Sequence, residues 1–188
     1  IIDTHCHLSD GKFSDDIDEV IERAVAAGVT RMVAVGGGGP IEDSRRSAEM
    51  AERYDCLRST AGIHPHDAAS VDQATIDELQ DLLARPTVVA VGETGLDFFR
   101  DFSPRPAQIK SFEQHIELAI ETGLPMFLHE RDAHPVFAEV LSGYRDDLGD
   151  LVVHCFTGQK EALYAYLDLD CHIGITGWIC DERRGQHL

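Results

Sequence analysis

Short apolar segments rich in β-branched residues alternate along this chain with longer amphipathic segments, and these two patterns are typical of strands and helices. The short segments predict seven strands, at Ile1–Thr4, Arg31–Val35, Leu57–Gly62, Val88–Gly92, Met126–His129, Leu151–His154 and His172–Thr176. The longer segments predict six helices, at Ser14–Ala27, Glu42–Tyr54, Gln73–Ala84, Pro106–Thr122, Ala133–Ser142 and Lys160–Leu167. Strict alternation of strands with helices indicates one α/β domain, residues 1–188, in which helices cover a parallel sheet.

The ends of the predicted strands distinguish two arrangements of such a sheet. Nearly every strand ends in a chemically active side chain, namely His5 and His7, His64 and His66, Glu93, His129, or His154. In a barrel these ends converge on one mouth, whereas an open doubly wound sheet spreads them along a line. Neither GxGxxG nor GxxxxGKS/T occurs, and we interpret the glycine run 36–39 as a flexible turn. The pattern therefore favours a (β/α)8 TIM barrel.

The length falls short of a complete barrel of this type. A TIM barrel typically needs about 250 residues, and this sequence of 188 residues ends before an eighth strand. We therefore expect a single barrel domain that is truncated at its C-terminus and lacks the eighth strand.

Four of the strand ends together indicate a metal centre. His5 and His7 are separated by one residue, so both imidazoles face the same way on an extended chain, whereas Cys6 faces the other way. Glu93 ends a buried strand, and a desolvated carboxylate requires an arginine or a metal ion as compensation. His129 and His154 end two further strands. Any one of these histidines alone is explained equally well as a hydrogen-bonded core residue, but all of them together predict bound metal.

The motifs around these residues resemble those of the TatD family of metal-dependent deoxyribonucleases, within the wider amidohydrolase-like barrels. The motifs that carry the resemblance are Asp3–Leu8, Ala61–His66, Gly92–Asp97, Leu124–Ala133, Val153–Gly158, Gly174–Trp178 and Cys180–Gly185. They occur in order from one end of the chain to the other, which is more specific than any single motif.

The resemblance implies a site for two divalent metal ions, Mg, Mn or Zn. His5 and His7 would hold one ion, Glu93 would bridge, and His129 and His154 would hold the second. In the family an aspartate at the end of strand eight completes the first site, and this sequence stops before it. Four histidines with one glutamate suit a transition metal better than Mg²⁺, which prefers oxygen ligands, although the family's activity is associated with Mg²⁺ or Mn²⁺.

The implied activity is hydrolysis of DNA phosphodiester bonds, from the 3′ end of a single strand, by a metal-activated water. Glu93 and His64 are the expected catalytic residues, and Arg131 and His66 the expected substrate-binding residues. His64 either orients the phosphate, protonates the leaving group, or is a structural residue fixed by Pro65. Arg131 either pairs with a phosphate as a planar donor or forms a salt bridge on its own loop, to Asp132 or Glu130.

Two other classes of function remain open. One is a hydrolase of amides, lactones or cyclic ureides, the usual chemistry of related barrels. Many of those enzymes bridge their metals with a carboxylated lysine, and no lysine occurs here between Lys12 and Lys110. The other is a noncatalytic binding protein, should the chain end at Leu188. Asp97 and Trp178 are expected to line the mouth, whereas His115 and His187 are read as solvated helix and tail residues.

Composition limits the partner and the compartment. The formal net charge of −18 opposes nonspecific binding to a polyanion, unless cations in a site or screening by high salt offset the repulsion. Five cysteines without CxxC spacing indicate neither a disulfide framework nor a zinc knuckle. Without a secretory signal or a bilayer-spanning apolar run, we expect a cytoplasmic enzyme. The expectation that its partner is DNA comes from the family resemblance, not from the composition.

Overall fold

The computed structural model describes residues 1–182 and Gly185, and within them seven parallel strands form one sheet in chain order. The strands are β1 (Ile2–Cys6), β2 (Arg31–Ala34), β3 (Leu57–Ala61), β4 (Val88–Asp97), β5 (Met126–Arg131), β6 (Leu151–Val153) and β7 (Cys171–Ile173). The helices are α1 (Ile17–Ala26), α2 (Ile41–Arg53), α3 (Gln73–Leu83), α4 (Arg105–Thr122), α5 (His134–Tyr144) and α6 (Lys160–Asp168). Arg183 and Arg184 of the last motif and His187 lie outside the described residues.

Every predicted strand and helix is present, and the differences are at the ends. The largest concerns β4, which continues to Asp97 instead of ending at Gly92. Its last residues still pair with β5, as far as Asp97 opposite Arg131. Because most residues from Glu93 to Asp97 are not apolar, a pattern of apolar residues predicts a strand that ends too early. The first helix begins at Ile17 rather than Ser14, because residues 14–16 form a turn.

The sheet is curled rather than open. Adjacent strands lie about 4.8 Å apart, so a flat sheet would separate β1 from β6 by about 24 Å. Instead, the ring centroids of His5 and His154, at the ends of these two strands, are 4.4 Å apart. The strand order also runs from β1 to β7 without the reversal that defines a doubly wound sheet. This geometry confirms the TIM-barrel expectation, and the described residues contain no eighth strand.

The helices pack against the outer face of this curled sheet. Phe112 of α4 and Phe137 of α5 stack with ring centroids 5.1 Å apart, and Tyr166 of α6 meets Phe137 edge-on at 5.6 Å. All three side chains are fully buried, and burial of such aromatic rings contributes strongly to stability. The inner face of the sheet borders a cavity of about 660 Å³, whose lining includes Val33, Ala90 and Phe127.

Among the helices of the described part of the chain, none combines the length and the apolar character needed to cross a lipid bilayer.

Candidate metal centre

Glu93 lies at the centre of the site, and the backbone on both sides of it is held close to its neighbours. Its side chain is only 2% exposed, and its backbone N–H donates to the Gly36 carbonyl at 2.6 Å. Gly92 and Gly95 have φ angles of 128° and 140°, and a Cβ at either position would overlap a carbonyl oxygen of β5. Glycine is therefore required on each side of Glu93 for β4 to pack this closely.

Five imidazoles surround the Glu93 carboxylate. His154 Nε2 and His129 Nδ1 lie 2.6 Å and 3.0 Å from Oε1. More distant contacts join Oε1 to His64 Nε2 at 3.5 Å, and Oε2 to His5 Nε2 at 3.8 Å and His7 Nε2 at 3.9 Å. These side chains come from the ends of β1, β3, β5 and β6, so the convergence depends on the curl of the sheet. No arginine or lysine forms an ion pair with Glu93 in the described part of the chain.

The donor atoms fit divalent metal ions. Ligating atoms of His5, Glu93 and His154 lie within 4.8 Å of one another, as do those of His64, Glu93 and His129. His5 Nε2 and His7 Nε2 are 2.9 Å apart, and His5 Nδ1 is buried without a hydrogen-bond partner. Converging nitrogen lone pairs around a buried carboxylate are the ligand set that transition metals prefer, and a cation would also compensate the buried charge.

The grouping of these atoms differs from the partition that the resemblance implies. His154, expected beside His129, is within ligating range of His5, and His64 joins His129 instead. His7 is adjacent to His5 but belongs to neither compact group. Which imidazole serves which ion therefore stays a prediction, whereas the proximity of all six side chains is a feature of the structure.

A second buried carboxylate, that of Asp97, contacts two histidines at this centre. Its Oδ2 lies 2.8 Å from His66 Nε2 and 3.3 Å from His129 Nε2. Its Oδ1 accepts hydrogen bonds from the backbone N–H groups of Phe99 and Arg100. Because Asp97 occupies Nε2 of His129, the ring presents Nδ1 to Glu93 and the metal region. A carboxylate bonded to the outer nitrogen of a metal-ligating histidine orients that ring and raises its basicity.

The electrostatic environment separates the protonation states of these groups. Burial disfavours ionised Glu93, but contacts with His129, His154 and His64 outweigh it and hold its pKa well below the usual range. Burial also disfavours charged His129, yet Asp97 and Glu93 raise the pKa of that imidazole to about 9. Burial lowers the pKa of His5 to about 4, which keeps it neutral at pH 7. Glu93 and His5 are therefore in the states that bind a cation, an anionic carboxylate and a neutral imidazole. His129 is protonated at pH 7 without metal, so a cation that binds to it has to displace that proton.

The residues expected to meet the substrate lie at the edge of this cluster. His64 is 8% exposed, and its Nδ1 accepts a hydrogen bond from the backbone N–H of His66. Arg131 does not pair with Asp132 or Glu130; its guanidinium instead lies 4.3 Å from the centroid of the Phe99 ring. Trp178 lines a cavity of about 680 Å³ together with His5 and His154, so it does border the site.

The glycine run after β2 is a turn that a buried aspartate organises. Asp43 Oδ2 accepts hydrogen bonds from the N–H groups of Gly37 and Gly38, and Ser9 Oγ donates to its Oδ1. These amides therefore bond to Asp43 rather than point at open solvent, which agrees with reading the run as a turn. The turn packs beside His7, and a Cβ on Gly38 would lie 3.1 Å from His7 Nδ1.

One histidine was read wrongly from the sequence. His115 is fully buried in α4 instead of solvated. Its Nδ1–H donates to the Ser111 carbonyl at 2.7 Å, and its Nε2 accepts from the N–H of Ile63 at 2.9 Å. Ile63 precedes His64, so His115 anchors the chain that carries a residue of the site. The helical spacing of His115 from the buried Ser111 and Phe112 was the signal that it shares the core face.

The curled parallel sheet, with five imidazoles and a buried carboxylate gathered at its mouth, is the arrangement of a metal-dependent barrel hydrolase. The family model described as "TatD related DNase" matches residues 2–188. A "3'-5' ssDNA/RNA exonuclease TatD" of Citrobacter koseri is 42% identical over 188 residues, which cover 100% of this chain and 72% of that protein. This chain belongs to the TatD related DNase family.

Two solved structures share this fold. A TatD homologue from Escherichia coli K12, YJJV, superposes with a TM-score of 0.88 at 33% identity, over 97% of this chain and 70% of that one. A TatD family hydrolase from Entamoeba histolytica superposes with a TM-score of 0.85 at 29% identity, over 94% of this chain and 65% of that one. The seven described strands therefore correspond to part of a barrel that these longer chains also contain.

Proposed function

We propose that this protein is a metal-dependent exonuclease that removes nucleotides from the 3′ end of single-stranded DNA. The observation that carries the proposal is the convergence of five imidazoles on the buried Glu93 carboxylate at the mouth of the curled sheet. The names of relatives about 42% identical to this chain support the direction and add single-stranded RNA as a second substrate.

The proposed site would hold two divalent cations, and Glu93 belongs to both groups of candidate ligands. His5 and His7 would bind one ion, and His129 and His154 the other. When bound, such ions lower the pKa of a water molecule and stabilise the attacking and leaving oxygens of a phosphodiester. Asp97 fixes the His129 ring through Nε2 at 3.3 Å. The donor set accommodates Mn²⁺ or Zn²⁺ more readily than Mg²⁺.

Three further side chains are proposed to act on the substrate itself. His64, whose Nε2 is 3.5 Å from Glu93, is placed to orient the scissile phosphate or to protonate the leaving oxygen. His66 is oriented by Asp97, and its side chain remains 31% exposed. Arg131 supplies a planar guanidinium, which suits the oxygens of a phosphate.

The amidohydrolase alternative is disfavoured by the position of the lysines. A carboxylated lysine bridging two metals has to lie at the metal centre. Here Lys12 is 82% exposed on a short 3-10 helix, Lys110 is on α4, and Lys160 begins α6. Glu93 supplies the central carboxylate in their place. A noncatalytic binding protein does not account for five imidazoles around one buried carboxylate, an arrangement that costs free energy unless a cation binds there.

The decisive experiment measures degradation of single-stranded DNA labelled at its 5′ or its 3′ end, in Mn²⁺ and in Mg²⁺. We expect a ladder from the 5′-labelled strand that shortens one nucleotide at a time, and no activity after chelation. Glu93→Ala should lose bound metal and turnover, whereas Glu139→Ala, an exposed carboxylate on α5, should behave as the parent protein. Undiminished metal content and activity in Glu93→Ala would refute the site.

We also propose a reducing, cytoplasmic location for the enzyme. The support is that all five cysteines are free in the structure, as expected where glutathione and thioredoxin keep thiols reduced. Fractionation of cells that express the protein, with a thiol-alkylation assay on each fraction, tests this; oxidised protein outside the cytoplasm would contradict it.

A further inference from the structure

The segment between β4 and α4 exposes two aromatic rings. We call residues 98–104 the β4–α4 loop. In it Phe99 is 54% exposed and Phe102 is 67% exposed, whereas the other six phenylalanines are buried or half-buried. Exposed aromatic surface is costly in water and tends to mark a place where a partner binds. Both exposed rings lie on one short loop, whereas exposed apolar residues without a function are usually scattered singly over a surface.

The β4–α4 loop is held in a defined conformation by the core behind it. The Asp97 carboxylate accepts the N–H groups of Phe99 and Arg100 at 3.1 Å and 2.8 Å. The buried amide of Gln108 donates to the carbonyls of Asp97 and Ser103, and Ser103 Oγ donates to the His66 carbonyl. These bonds fix the backbone on both sides of the rings, so the rings are presented outward by a rigid support.

The loop also adjoins the proposed metal centre. The ring of Phe102 lies 4.8 Å from that of His66, and His66 shares the Asp97 carboxylate with His129. A strand whose scissile phosphate lies at Glu93 can therefore extend over the loop on the side of β3 and β4. Trp178, by contrast, borders the site from the side of β7.

Positive charge accompanies the rings. The Arg131 guanidinium is 4.3 Å from the centroid of Phe99, and that of Arg100 is 5.7 Å from the same centroid. Within residues 1–182 and Gly185, neither guanidinium forms an ion pair with a carboxylate. The one carboxylate of the loop, Asp101, pairs with Arg105. In a chain with a formal charge of −18, this leaves, beside the exposed rings, Arg100 of the loop and Arg131 of β5 as two arginines without a carboxylate partner among the described residues.

We propose that the β4–α4 loop is a stacking platform for the bases of a single-stranded nucleic acid. Phe102 and the face of Phe99 that Arg131 does not cover stack on bases next to the cleaved nucleotide, and Arg100 and Arg131 face the phosphates between them. Single-strand binding sites elsewhere combine aromatic rings with a positive groove in this way, because every base has a π-face. In a duplex the bases are already stacked and paired, so the platform selects single strands. The inference rests on the proposed nuclease function.

The test compares two phosphodiester substrates of different length in the metal-loaded enzyme. Removing an aromatic platform costs about 5- to 150-fold per stacked base. We therefore expect Phe102→Ala and Phe99→Ala to lower kcat/KM on a ten-nucleotide thymidine strand by about tenfold, chiefly through KM. Neither variant should change hydrolysis of methyl 4-nitrophenyl phosphate, which has no nucleotides beyond the scissile bond to stack on the loop.

Two control variants separate stacking from general effects of losing an exposed ring. Phe102→Trp keeps a π-face and should stay within twofold of the parent protein on the oligonucleotide. Tyr164→Ala removes a ring on α6 that is as exposed as Phe99, at 54%, and should change neither substrate. A loss below twofold in the Phe→Ala variants would overturn the proposal, as would an equal loss on both substrates.

Binding measurements keep the platform testable apart from the nuclease. Fluorescence anisotropy in the presence of chelator, where no cleavage is expected, reports affinity for a labelled thymidine strand and for the same strand with abasic sites. We expect tenfold weaker binding for Phe102→Ala on the normal strand, and no difference between the variant and the parent on the abasic strand. If the parent binds DNA but does not cleave it, the nuclease proposal fails and the platform stands. If the parent cleaves and the Phe→Ala variants bind equally well, the platform fails alone.

Discussion

Replacing His115 by glutamine should remove a specific part of the acid sensitivity of this fold. Burial in α4 lowers the pKa of His115 from 6.5 to about 4, because the interior penalises an imidazolium. The neutral ring accepts the Ile63 N–H and donates to the Ser111 carbonyl. Glutamine offers both an acceptor and donors but does not titrate, so His115→Gln keeps the bonding capacity and loses the proton equilibrium.

The sign and the size of this effect on the free energy of unfolding follow from proton linkage. The unfolded chain binds a proton at His115 near pH 6.5, whereas the folded protein binds it only near pH 4. The stabilisation is therefore complete above pH 6.5 and is lost as the pH falls to about 4. With these values, the free energy of unfolding falls by about 2 kcal/mol between pH 7 and pH 5 on account of this one residue.

Urea unfolding at pH 7 and at pH 5 measures this quantity, with chelator present so that no metal contributes. Other groups also titrate in this interval, but they do so in both proteins, so the difference between the two pH dependences isolates His115. We expect the parent to lose about 2 kcal/mol more than His115→Gln. Equal losses in the two proteins would refute a buried, neutral His115.

Two further changes test the supports of the site. Asp97→Asn should weaken Mn²⁺ binding about 10- to 100-fold, because His129 loses the carboxylate that orients it; calorimetric titration against the exposed control Asp81→Asn measures this, and unchanged affinity would contradict the role. Asp43→Ala should destabilise the fold by about 1–3 kcal/mol, because two glycine N–H groups lose their acceptor. Urea unfolding measures that cost, and hydrogen exchange at Gly37 and Gly38 should quicken; unchanged exchange would exclude the bond.

The sequence alone was sufficient for the type and order of the elements. The alternation of short β-branched runs with amphipathic segments depends only on local periodicity, and all seven strands and six helices follow from it. It also identified side chains that meet in the structure, because His5, Glu93, His129 and His154 each lie where an apolar strand ends. Burying polar side chains at such positions costs free energy unless they are paired or bind a ligand. The position of a polar residue at the end of an apolar strand can be recognised in a single sequence.

Only the tertiary structure shows which residues from different strands lie close together and which side chains are buried. The curl of the sheet brings His5 and His154, from β1 and β6, to ring centroids 4.4 Å apart, and no local pattern encodes such a distance. The burial of His115 and the exposure of Phe99 and Phe102 were likewise settled by packing. A residue's surroundings depend on the elements placed against it, whereas periodicity reports only which face of its own element it occupies.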